Sequence, residues 1–193
     1  MSTSDESILT PRLRLWPMSH TFLLASIADD ELAAARELQA ALSSEWLSEK
    51  DLQQLRLGDL RTDPAARPWL LRAIVESATN QMVGHIGFHT RPNPDYLQEI
   101  CPGAVEIGYT IYLPHRRRGF AREATLAMFA WASETHGVRD FIASCSPQNE
   151  PSLRLLATLG FERIGSHLDE VDGPEDIFRL RWDPSQNAST SVH

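Results

Sequence analysis

In the stretch "ILTPRLRLW", Leu13 and Leu15 alternate with Arg12 and Arg14. A period of two marks a half-buried strand, so a sheet opens here. From His20 to about Leu60 the apolar positions fall at helical spacing. There "DDELAAARELQAAL" sets acidic residues in a first turn and strong helix formers behind them, which predicts two helices. "WLLRAIVES" and "MVGHIGFHT", separated by the polar "ATNQ", predict an antiparallel hairpin. Pro92, Pro94, Pro102 and Gly103 then mark a loop. "VEIGYTIYL" alternates again. Val105, Ile107, Tyr109, Ile111 and Leu113 share one face, and Glu106, Gly108, Thr110 and Tyr112 share a more polar one. "AREATLAMFAWASETHG" is apolar nearly all round from Leu126 to Ala132 and stops at Gly137, as a buried helix would. "DFIASC" reads as a strand and "NEPSLRLLATLGF" as a short helix capped by Asn149 and ended by Gly160. "RIGSH" and "DIFRLRW" read as a closing strand pair.

Strand, helix and strand between Val105 and Cys145 make a βαβ unit, which needs parallel pairing and a right-handed crossover. The other pairings look antiparallel. The expected class is α+β in an α/β/α arrangement, a mixed, mostly antiparallel sheet of about six to seven strands flanked by helices. With 193 residues and no linker or repeat, one domain is expected over residues 1–183, followed by a loose polar tail over 184–193.

A hydrophobic share of 42% with 23% charged residues places the chain among soluble globular proteins rather than disordered or membrane classes. The amino terminus lacks a basic region followed by an apolar stretch, and nowhere do about eighteen apolar residues run together. Cys101 and Cys145 have no CxxC neighbour, so neither a disulfide framework nor a metal site is expected, and a reducing cytoplasm fits. The net charge of −8 repels nucleic acid and anionic membrane surfaces and favours a cationic substrate or partner.

Against that acidic background, "YLPHRRRGFAREA" sets Arg116, Arg117 and Arg118 directly before Gly119, with Arg122 one turn on. Adjacent like charges repel, and a cluster between a strand and a buried helix points to an anion held against it. The start of such a helix offers unpaired N–H groups and the positive end of the dipole, and Gly119 lets a ligand approach the backbone. Arginine pairs with phosphate oxygens through two parallel bonds. A Walker loop is excluded because no GxxxxGK[ST] occurs, and GxGxxG is missing too.

"RRRGFA" resembles the Arg/Gln-x-x-Gly-x-Gly/Ala acyl-CoA signature of the GNAT acetyltransferase superfamily, matched by Arg116, Gly119 and Ala121. "TPRLRLWPMS", "VEIGYTIYLPHRRRGFAREA" and "SCSPQNEPSLRLLATLGFERIG" together resemble the branch that holds the ribosomal-protein-alanine N-acetyltransferases RimJ and RimL. The resemblance covers almost the whole chain apart from the tail. It implies an acetyl-CoA co-substrate and no metal. The pyrophosphate would lie on the backbone amides from Arg117 to Arg122, with Phe120 and Ala121 opening the helix beneath it. The pantetheine arm would extend the sheet beside Ile111, Tyr112 and Leu113, and Asn149 would hydrogen-bond the arm from the opposite side.

Acetyl transfer needs a neutral amine, and α-amines and lysines carry reference pKa values of about 7.7–8.0 and about 10.4, so a general base is required. Glu106 is the candidate, since the family often places a glutamate on this strand and partial burial would raise its pKa toward the useful range. His85 and His89 are alternatives, and both are expected on one strand face. Many relatives carry a tyrosine after the asparagine to protonate the thiolate, but Leu156 stands there, which leaves Ser152 as the nearby hydroxyl. Trp46 and Tyr96, with the two histidines, are expected to line the acceptor pocket. The expected function is N-acetylation of a peptide α-amine or a small cationic amine in a ternary complex, by a monomer or homodimer. The competing reading is a non-catalytic acyl-CoA sensor.

Overall fold

A computed structural model describes residues 7–169 and 173–183; the expected tail over 184–193 lies outside the described residues. Residues 7–91 together with 109–127 form one compact unit, and 92–108 with the described residues from 128 to 183 form another.

The first unit is built on antiparallel strands. β1 (Ile8–Leu9) pairs with β2 (Leu13–Pro17), β2 with β3 (Arg72–Glu76), and β3 with β4 (Gln81–Phe88). Leu13 and Leu15 are fully buried, as their alternation predicted. The region read as two helices contains four: α1 (His20–Ile27), α2 (Glu31–Leu38), α3 (Ser44–Ser48) and α4 (Lys50–Thr62). Local chemistry divides them. Asp29 and Gln39 adopt left-handed φ of 57° and 56°, which ends a helix. Ser19 caps the start of α1 on the amide of Phe22, and after the two breaks Asp30 and Ser43 cap α2 and α3 with side-chain oxygens on the amides of Ala33 and Glu45. The core of this unit gathers Trp16, Phe22, Leu38, Trp46, Leu57, Ala73, Val75 and Tyr112. Gly84 is obligatory in β4, because a Cβ there would fall 2.1 Å from the Thr110 carbonyl oxygen.

In the second unit, β5 (Val105–Ile111) starts in parallel register with β6 (Asp140–Cys145), Val105 opposite Phe141 and Glu106 opposite Ile142, as the βαβ reading predicted. β8 (Gly173–Arg181) pairs antiparallel with β6, and β7 (Glu162–Asp169) with β8. Phe129, on α5 (Phe120–His136), lies with its ring centroid 4.1 Å from that of Phe141 and 5.5 Å from that of Trp182. α6 (Glu150–Leu159) ends at Gly160, whose φ of 84° suits glycine alone. Among the described residues the strand order is β1-β2-β3-β4-β5-β6-β8-β7, an eight-stranded mixed sheet of mostly antiparallel pairs. No helix among them is long and apolar enough to cross a membrane.

β5 departs from its expected two-faced character. Val105 and Ile107 are buried on the apolar face, but Glu106 on the polar face is equally enclosed at 7% exposure, and Tyr112 just beyond the strand is buried in the first unit's core. The 3-10 turn Leu113–His115 follows, and Leu113 points to solvent.

Candidate functional site

The connection from β5 to α5 turns through alternating backbone signs. Arg116 is extended, Arg117 takes a φ of 61°, and Gly119 a φ of 82°. The left-handed region is strained for arginine, and such outliers persist where the surrounding structure fixes them. The first helical bond runs from Glu123 N–H to Gly119 C=O at 3.1 Å, which makes Gly119 the N-cap. No backbone N–H from Arg117 to Arg122 has an acceptor among the described residues. Six consecutive donors stand at the positive end of a helix of 17 residues, an arrangement that suits an anion and makes this turn the candidate cradle.

The arginines divide into two pairs. Arg116 Nε donates to the Ile111 carbonyl at 2.8 Å and fastens the end of β5. The Arg118 guanidinium pairs with the buried Glu76 carboxylate and lies 4.5 Å from the Phe120 ring centroid. Both were expected to offer side-chain charge to an anion, and in the structure both also hold the turn, because an unpaired buried Glu76 and a bare strand end demand partners. Arg117 and Arg122 are exposed, and no carboxylate among the described residues pairs with them.

Arg12 performs a role that periodicity alone did not suggest. Its Nη1 donates to the Arg118 carbonyl at 2.9 Å and its Nε to Glu123 Oε2 at 2.7 Å, while its own backbone N–H donates to Glu123 Oε1 at 2.9 Å. Thr10 Oγ1 donates to the same Glu123 oxygen at 2.6 Å. Burial alone would raise the Glu123 pKa, but the bonds from Thr10 and Arg12 outweigh it and hold the carboxyl below its usual value. A depressed pKa stabilises the fold above the ordinary carboxylate range and is lost as pH falls through the lowered value. Arg12→Ala should therefore loosen the cradle without touching the ligand. Acetyl-CoA affinity in calorimetry should fall roughly tenfold, the size of a lost charged hydrogen bond, while circular dichroism stays unchanged.

The other expected residues are distributed as follows. The Tyr112 N–H is spent on Val83 O and its carbonyl accepts from His115, so the open groups expected at Tyr112 are closed. The Leu113 carbonyl likewise accepts from the Arg116 N–H, so of its pair only the N–H is open. Asn149 caps α6, its Oδ1 accepting from Ser152 N–H at 3.3 Å, and the Ser152 hydroxyl makes no hydrogen bond among the described residues. Leu156 is buried, so no acid stands at the tyrosine position. Trp46 is fully buried, stacked on Phe22 at 5.6 Å and donating to Ser26 Oγ at 2.9 Å, which makes it core. Tyr96 is half exposed in the 3-10 turn Asp95–Leu97. β4 ends at Phe88, so His89 is exposed beyond it and does not share a strand face with buried His85; its carbonyl accepts from Arg56. His85 Nε2 lies 2.8 Å from Glu49 Oε2, out of line for a hydrogen bond. Glu49, at the cap between α3 and α4, is a neighbour of His85 that sequence reasoning missed.

The profile of the Acetyltransferase (GNAT) domain family matches residues 12–162. The uncharacterized N-acetyltransferase YjdG of Bacillus subtilis is 27% identical over 162 residues, 79% of this chain and 87% of that protein. The uncharacterized N-acetyltransferase p20 of Bacillus licheniformis is 28% identical over 93 residues, and the chain spans about half of its length, 48%. Among solved structures, the ribosomal-protein-S5-alanine acetyltransferase of Vibrio fischeri superposes with a TM-score of 0.62 at 15% identity, covering 92% of this chain and 97% of that one. The microcin C7 self-immunity acetyltransferase MccE, solved with acetyl-CoA and AMP, gives a TM-score of 0.58 at 13% identity over 90% of this chain and 94% of its own. At such identities the likeness speaks for the fold, which is the one the RimJ and RimL resemblance implied. The profile runs from Arg12 through the arginine cradle to Asn149, Gly160 and Phe161, and by that match the chain belongs to the GNAT acetyltransferase family.

Proposed function

We propose that the protein is an acetyl-CoA-dependent N-acetyltransferase whose acceptor is a primary amine, either a peptide α-amine or a small cationic amine. The observation that carries the reading is the run of acceptorless N–H groups from Arg117 to Arg122 at the start of α5. Those donors, with the guanidinium groups of Arg117 and Arg122 that no carboxylate among the described residues pairs, suit a pyrophosphate in number and charge. The Ile111 carbonyl already accepts from Arg116 Nε, but its N–H is turned away from the β4 side that Tyr112 uses and, with the open Leu113 N–H, suits an amide carbonyl of a pantetheine arm. Asn149 hydrogen-bonds the arm while keeping its cap.

Acetyl-CoA supplies a thioester carbonyl to an amine nucleophile. Glu106, enclosed on β5, takes the proton that the ammonium must lose, directly or through water. The amine lone pair forms the C–N bond as the C–S bond breaks, and the further proton then left on the nitrogen passes through water to the departing thiolate, which is a weaker base than an amide nitrogen and needs no protein acid at Leu156. Ser152, with its hydroxyl uncommitted, steadies the departing sulfur. Residues 1–183 act as one catalytic domain in the cytoplasm, as a monomer or homodimer.

The test is incubation of the purified chain with acetyl-CoA and a mixed panel of peptides, polyamines, aminoglycosides and amino acids, following thiol release and acetylated products by mass spectrometry. Thiol release matched by an acetylated amine is the expected result. Tight acetyl-CoA binding with no release across the panel would overturn it in favour of a sensor.

A further inference from the structure

Three neighbouring side chains of the first unit carry buried polar atoms without a hydrogen-bond partner: Glu49 Oε2, both ring nitrogens of His85, and the Tyr112 hydroxyl. His85 is 6% exposed and Tyr112 2%, and their ring centroids stand 6.1 Å apart in edge-on contact. His85 also meets the edge of Trp46 at 6.0 Å, so the imidazole is held between two aromatic rings, its Nε2 facing Glu49 Oε2 at 2.8 Å but out of line and its Nδ1 unspent. Buried polar groups are almost always satisfied, and a cluster that is not marks a place for a missing partner.

Charge identifies that partner. Glu49 and Glu45 both lie close enough to Tyr112 to disfavour its ionisation, beyond the effect of burial itself. No lysine or arginine among the described residues pairs with either carboxylate. Lys50, adjacent to Glu49, is turned aside, its Nζ bound to Asp29 Oδ1 at 2.5 Å and to Ser26 O at 2.6 Å. The cluster therefore presents acceptor oxygens, a ring nitrogen and negative charge that only histidines approach, His85 at Glu49 and His115 near Glu45. An anion would be repelled and a neutral hydroxyl would leave the charge unanswered, whereas a primary ammonium brings a positive charge and three N–H donors.

We infer that Glu49, His85 and Tyr112 form a subsite for a primary ammonium group of the acceptor, its N–H donors directed to Glu49 Oε2, a ring nitrogen of His85 and the Tyr112 oxygen. Glu45 adds field without contact. The subsite rests on the amine-acetyltransferase reading and adds to it the acceptor's charge and the residues that recognise it. A peptide α-ammonium and an alkylammonium share this chemistry, so the test carries an arm for each.

Calorimetry on the full chain at neutral pH uses alanylalanine amide and 1,5-diaminopentane, each beside its uncharged counterpart, N-acetyl-alanylalanine amide and 1,5-pentanediol. One of the two amines should bind, and which one identifies the source; its counterpart should not bind. The affinity should fall about tenfold or more in Glu49→Gln and severalfold in Tyr112→Phe, which deletes one hydroxyl and keeps the ring packing. Absence of binding by both amines, equal binding by the uncharged counterparts, or unchanged affinity in Glu49→Gln would overturn the subsite. Acetyl transfer separates this from the wider reading. Amines acetylated with wild-type KM in both variants would remove the subsite alone. Amine binding that is lost in the variants, from a wild-type chain that transfers no acetyl group, would leave the subsite standing and remove the transferase.

Discussion

Gly119→Glu should abolish acetyl-CoA binding, weakening it by at least about 100-fold in calorimetry while circular dichroism keeps the native spectrum. Two effects add. At a φ of 82° any side chain is strained, by about 1–2 kcal/mol. The added Cβ would also meet Arg12 Nη2 at 3.3 Å, a flexible end that can yield but that also secures the cradle. The larger effect is electrostatic, because a carboxylate would sit among the six acceptorless amides and repel the pyrophosphate they are meant to hold. Gly119→Ala separates the two, carrying the strain without the charge, and should cost only severalfold to about tenfold. Undiminished binding in the glutamate variant would remove this turn from the site.

The second large effect is expected at Glu106. Its replacement by glutamine keeps the shape of a buried side chain and removes only the ability to take a proton. kcat should fall roughly 10²–10⁴-fold near neutral pH, with acetyl-CoA affinity little changed. Because solvent deprotonates the amine unaided as pH rises toward the amine's own pKa, the defect should shrink with pH. An equal loss from about pH 6 to 10 would mean that the carboxylate orients the acceptor, and wild-type activity would pass the role of base to another group.

Much of this was legible because it is local. Alternation gave β2 and β5, the apolar belt gave α5, and "RRRGFA" marked the turn between them, since a strand, a glycine and a helix start are written consecutively. The number of helices between His20 and Thr62 was not legible, because breaks at Asp29 and Gln39 use left-handed residues that are not glycine. Nor were the tasks of the arginines. A basic triplet reads the same whether it faces a ligand or a carboxylate, and only the fold brings Glu76 to Arg118 and Glu123 to Arg12. Trp46 looked like a pocket wall for the same reason, whereas its indole N–H finds Ser26, twenty positions earlier. Glu49 carried no signal at all, being one acid among many in an amphipathic stretch.

The strap from Arg12 to Glu123 joins residues 111 apart, and the first unit combines 109–127 with residues 7–91. A ribosome therefore delivers the second strand long before the segment that completes the cradle. Until about 123 residues have emerged, Arg12 has no Glu123 to hold and Glu76 waits, buried or not, for Arg118. Closing so long a loop is slow relative to local helix formation, so α1 to α4 should form first and the anion cradle last. Nascent chains halted before residue 109 should accordingly be the species that chaperones hold.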